Sequence, residues 1–197
     1  MSDNHLYHGT GIYCLTSIVA SGELWEGIHW GKPDEPHGPR TTEDFEKACE
    51  FIENSMHWGE GGVIVLDREL LARDYPLVSY TDRSYLGEIW PGRSEREIAI
   101  ITPKLVDLDK YLVSIIVDEE AIEQALLDEN IEAAMCEGGW AYESGEAADV
   151  GIALFRQEIE ILKAHPKFNL LPPPVGGLPW RGNWQRAADA PRMAMAG

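Results

Sequence analysis

Basic residues are scarce. Lys and Arg number 16 against 34 Asp and Glu in 197 residues, a formal net charge of −18. Binding to a phosphate backbone draws on Lys and Arg, so the balance weighs against a nucleic-acid-coating role while leaving room for a local basic groove. Cysteine is also sparse. Cys14, Cys49 and Cys136 are odd in number and form no C-x-x-C pair, which excludes a disulfide framework and a clustered zinc site. No His or Cys pair has ligand spacing, so no metal is expected. Long apolar runs are missing too: Ile115-Ile116-Val117 is far short of the roughly 20 residues that span a bilayer, and no membrane partner is expected. Met1 to His5 carry no basic segment followed by an apolar one, so no secretory leader is expected and the chain reads as made for a reducing cytoplasm.

What is present is close to the globular average, with 44% hydrophobic and 25% charged residues. A chain this long fits one domain with room for an appendage, and buries about 70% of its unfolded surface without a staple. Charge is unevenly spread. From Lys163 to Gly197 five bases face the single acid Asp189, a net of +4, which leaves −22 for the rest.

Hydrophobic periodicity predicts an α+β domain over residues 1–165 and an extended arm over 166–197. His5 to His8 reads as a short strand stopping at Gly9-Thr10-Gly11. Ile12, Leu15, Ile18 and Val19 then recur at helical spacing up to Ser21-Gly22. Trp25 to Pro39 is a loop by its glycine and proline content. Phe45, Ala48, Cys49, Ile52 and Met56 share one helical face, with Thr41 or Thr42 as N-cap and Glu43 and Asp44 in the first turn. Cys14 and Cys49 read as buried small hydrophobes. Gly62 to Leu66 is a buried strand, Asp67 to Arg73 a short helix, and Pro76 to Tyr80 is extended. Thr81 to Ser94 is a loop, and Glu97 to Ile101 and Tyr111 to Val117 are strands. Helices follow after Asp118 and over about 147–164. Past Pro166, Pro172-Pro173-Pro174, Trp180 and Trp184 suggest an arm that docks on a partner.

Three polar clusters sit at element ends. In Tyr7-His8-Gly9-Thr10 a histidine ends a strand and a glycine lets a ligand approach the backbone, although a surface histidine before a tight turn has the same pattern. Arg40-Thr41-Thr42 leads into a helix, where a hydroxyl ordinarily serves as a cap. Glu95 and Glu97 are two apart, so on a strand both carboxylates share a face; that face could be catalytic or simply solvated.

The order and spacing of these clusters resemble the ADP-ribosyltransferase superfamily. Leu6-Tyr7-His8-Gly9-Thr10 looks like the His-Gly-Ser/Thr strand of the poly(ADP-ribose) polymerase and diphtheria-toxin branch, and Ser21-Gly22-Glu23-Leu24 like the exit from its following helix. Gly38 to Phe51 is similar to a strand-helix segment of small phage and bacterial members. Glu95-x-Glu97 is similar to the two-glutamate motif of the arginine-modifying branch. The resemblance covers residues 6 to about 117.

It implies a split β-sheet core with flanking helices, and an NAD-dependent mono-ADP-ribosyltransferase that takes NAD as substrate. Such an enzyme cleaves the nicotinamide–ribose bond and transfers ADP-ribose to a macromolecule, protein favoured over nucleic acid. A carboxylate facing the positive charge that grows on the ribose stabilises the transition state more than the ground state. Glu97 takes that role by resemblance, and Glu95 positions or deprotonates the acceptor. His8 holds the adenosine ribose, Gly9 pairs its backbone with the nicotinamide amide, and Thr10 completes that motif. Thr41 and Thr42 support the glutamate or the nicotinamide wall. Tyr80, Tyr85 or Trp90 supplies an aromatic floor. Arg40, Arg93 and Arg96 are the nearest cations for the two phosphates. The reading requires His8 and Glu97 to line one cleft.

The chain mixes branch patterns. Thr41-Thr42 and Phe45 stand where the histidine-type branch has a stacking tyrosine, and His8 stands where the arginine-modifying branch begins with arginine. Acceptor class is therefore not inherited, and transfer to nucleic acid or NAD-dependent removal of an RNA 2′-phosphate stays open. The alternatives are a non-catalytic member of the fold, carried in a phage particle and docked through the arm, and an unrelated α+β protein.

Overall fold

The computed structural model describes residues 4–26, 37–53, 61–80, 97–117, 119–127 and 145–170. In chain order the strands are β1 (His5–Gly11), β2 (Leu24–Trp25), β3 (Arg40–Thr42), β4 (Gly61–Asp67), β5 (Leu77–Tyr80), β6 (Glu97–Ile100), β7 (Lys104–Leu105), β8 (Leu112–Val117) and β9 (Phe168–Leu170). The helices are α1 (Ile12–Ser21), α2 (Phe45–Glu53), α3 (Arg68–Asp74), α4 (Leu108–Tyr111), α5 (Glu119–Leu127) and α6 (Gly145–Ala164). Seven strands form one sheet in the order β5-β6-β3-β1-β4-β8-β9, and β2 pairs with β7 in a separate ribbon. Every pairing in the large sheet is antiparallel except β8 with β9. The α+β class holds.

Strand β4 anchors the sheet. Gly61 to Leu66 are buried without the alternation of a half-exposed strand, because helices cover both faces. On one face Leu6, Ile64, Leu66, Ile98, Ile100, Ile115 and Val117 pack with Ile12 and Leu15 of α1 and Phe155, Ile159 and Leu162 of α6. On the other, Tyr7, Val63, Val65 and Ile116 pack with Ala48, Cys49 and Ile52 of α2. Full burial of each large aliphatic side chain contributes roughly 1.5–3 kcal/mol, so these two clusters drive assembly.

Several boundaries differ from the sequence expectations. Strand β1 runs through Gly9-Thr10-Gly11 instead of stopping there, because all seven of its residues pair with β4. Cys14 is exposed on α1, on the turn that faces away from the sheet, while Cys49 is buried as expected. The body also reaches past residue 165. Phe168–Leu170 adds β9 to the sheet, held where Lys167 Nζ donates to the Leu112 carbonyl at 2.6 Å and Asn169 Nδ2 to Ser114 Oγ at 2.8 Å. The arm segment 171–197, Met56 and the Thr81–Ser94 loop lie outside the described residues.

Candidate functional site

Strands β1, β3 and β6 lie side by side and bring His8, Arg40, Thr41, Thr42 and Glu97 onto three neighbouring strands. Register orders them. Tyr7 pairs with Thr42, and Thr42 with Glu97, so these three share one face. His8 belongs to the neighbouring row, with Thr41 and Ile98, and its side chain leaves the ladder on the opposite face from Glu97. The two residues do not stand side by side; Arg40 connects them.

That connection follows from the backbone. The Pro39 carbonyl accepts from Ile100 N–H at 3.0 Å, so Arg40, one residue on, turns its N–H and C=O toward β1. Thr42 does the same and meets Tyr7, the sole register pair between β1 and β3. Gly9, two residues after Tyr7, directs its N–H and C=O into the same interval. The Arg40 carbonyl opposite is taken instead by the imidazole of His8, whose Nδ1 lies 2.7 Å from it. A carbonyl only accepts, so Nδ1 carries the proton and Nε2 presents a lone pair. Burial holds the His8 imidazole below its usual pKa, with the Arg40 bond opposing that shift, and the ring is neutral near pH 7. The register pairing of β1 with β3 is therefore confined to Tyr7 and Thr42, with the His8 side chain bridging to Arg40 beyond it.

Arg40 also reaches the glutamate. Its Nη1 lies 3.7 Å from Glu97 Oε2, and the side chains are 20% and 13% exposed. Thr41 is buried and donates its hydroxyl to the Ile98 carbonyl at 2.9 Å, bracing the backbone next to Glu97. Thr42 is buried and accepts the Asp44 N–H at 3.1 Å. The cap of α2 is neither threonine. Asp44 Oδ1 accepts from Glu46 N–H at 3.0 Å and the Asp44 carbonyl accepts from Ala48 N–H, so Glu43 and Asp44 precede the helix instead of forming its first turn. Gly9 has a packing reason to be glycine: a Cβ there would overlap the Ala48 carbonyl oxygen of α2.

Thr10 ends the motif, and its side chain hydrogen-bonds with the Cys14 thiol at the start of α1. Tyr80 pairs in register with Glu97 on β5. Glu95, Tyr85, Trp90, Arg93 and Arg96 lie outside the described residues. The bridging position of Arg40, seen neither in spacing nor in composition, comes from the pairing of three strands distant in sequence. Among the described residues no three His, Cys, Asp or Glu side chains gather to hold a metal, and no helix is long and apolar enough to cross a membrane. Compared with protein-family models, curated proteins and solved structures, the chain finds no match.

Proposed function

We propose that the protein is an NAD-dependent mono-ADP-ribosyltransferase that cleaves the nicotinamide–ribose bond and transfers ADP-ribose to a macromolecular acceptor, protein before nucleic acid. The observation that carries this reading is the juxtaposition of His8, Gly9, Arg40, Thr41, Thr42 and Glu97 on the neighbouring strands β1, β3 and β6, with Arg40 in contact with both His8 and Glu97. With its Nδ1–H held by the Arg40 carbonyl, His8 has Nε2 as the acceptor for a ribose hydroxyl in this reading. Glu97 stands on the other face of the sheet, so the two do not line one cleft as the resemblance requires, and Arg40 is the residue in contact with both.

In this reading the bond from ribose C1′ to the nicotinamide nitrogen breaks, with its electron pair leaving on neutral nicotinamide. Glu97 stabilises the positive charge left on the ribose. An acceptor nucleophile closes on C1′ and gives up its proton, for which Glu95 is the candidate base. In a chain of net charge −18, Arg40 serves in this reading as the local cation for the phosphates.

A second reading has its own support: a non-catalytic member of the fold. Four of the described motif residues have structural jobs, since Gly9 accommodates α2, Thr41 braces Ile98, Thr42 holds the approach to α2 and Glu97 pairs with Arg40. Release of nicotinamide from NAD separates the two. The transferase reading expects turnover in the native chain and its loss in Glu97→Gln with the fold retained; the second expects none in either.

A further inference from the structure

We infer that Arg40 and Glu97 form a mutually masking pair that a bound pyrophosphate opens. This rests on the transferase reading above. The two groups meet at 3.7 Å, Nη1 to Oε2, a charge contact longer than the roughly 2.7–2.9 Å of a charge-assisted hydrogen bond. Both side chains are mostly buried, so little water screens the attraction. While they face each other, the guanidinium is partly spent on a carboxylate and the carboxylate on a guanidinium. Neither is fully available to a ligand.

A dinucleotide can exchange both partners at once. Its phosphates supply two negative charges and a planar oxygen edge that a guanidinium matches better than it matches a single carboxylate oxygen at 3.7 Å. As Arg40 turns to the phosphates, Glu97 is released toward the ribose. The backbone stays in place while the side chain moves, because the Arg40 carbonyl is held by His8 and Thr41 ties β3 to β6. The anion thus selects the arrangement in which the carboxylate is exposed, and ligands without phosphates leave the pair closed. In an acidic protein the arrangement also keeps an exposed acid out of an empty site.

Calorimetric titration of the full chain with ADP-ribose tests this. Glu97→Gln removes the masking charge and is expected to bind ADP-ribose about 3- to 10-fold more tightly than the native chain. Arg40→Gln is expected to bind at least about 10-fold more weakly, and the double variant to match Arg40→Gln. Arg40→Lys keeps the charge and is expected to retain most binding. A Glu97→Gln affinity equal to or below the native value overturns the masking pair, even if the native chain cleaves NAD. If Arg40→Gln does not fold, the Glu97→Gln comparison decides alone. A native chain that neither binds ADP-ribose nor releases nicotinamide removes the functional reading and the inference with it; one that cleaves NAD without the Glu97→Gln gain removes the inference only.

Discussion

The Nδ1–H of His8 donates to the carbonyl oxygen of Arg40 at 2.7 Å, where the β1–β3 ladder stops. A side chain thus takes the place of a backbone partner beyond the Tyr7–Thr42 pair. Fold and proposed chemistry meet in that bond, because it orients the imidazole and holds the residue whose guanidinium faces Glu97.

Stability should therefore fall on acidification through the range of a normal histidine. Burial lowers the folded His8 pKa below its ordinary 6.5, so between the two values the unfolded chain binds more protons than the native one. Stability rises with pH in that window and is lost as pH falls below about 6.5. Urea midpoints measured from pH 8 to pH 5 should drop, and the drop should be smaller in His8→Gln, whose amide can still donate. An identical slope in both proteins contradicts the assignment.

Gly9→Ala should destabilise by about 1–3 kcal/mol through overpacking against α2. The Cβ meets backbone, the Ala48 carbonyl, and not the end of a flexible side chain. Thermal unfolding reads this directly, and an unchanged midpoint would show that α2 shifts freely over β1.

Replacing the cap of α2 should separate Asp44 from the threonines. Asp44→Ala is expected to cost about 1 kcal/mol from loss of the bond to Glu46 N–H. Thr41→Val should cost about 1 kcal/mol for another reason, since it removes the hydroxyl's bond to the Ile98 carbonyl across β3 and β6. Denaturant titration of the pair gives both values.

Much of the fold was legible because period and burial agree. The α2 face of Ala48, Cys49 and Ile52 and the apolar run of β4 follow from spacing alone. The two-residue strands β2 and β7 and the single-turn helix α4 are too short to carry a period. Thr41 and Asp44 both have cap chemistry in sequence; the β3–β6 pairing, a contact across 57 residues, assigns Thr41 elsewhere. Cys14 lies in an apolar run but on the outward turn of α1, a distinction that depends on which face meets α6. The candidate site was legible as residue types in order, whereas its geometry was not. The opposite-face placement of His8 and Glu97 comes from register, which a one-residue slip would reverse.

The most direct measurement is the release of nicotinamide from NAD by the purified full chain beside its Glu97→Gln variant, with circular dichroism confirming that both are folded. The account predicts steady release by the native chain and a fall of at least about 100-fold in the variant, the scale on which removal of one transition-state stabiliser acts. Undiminished release in Glu97→Gln, or none from the folded native chain, contradicts it.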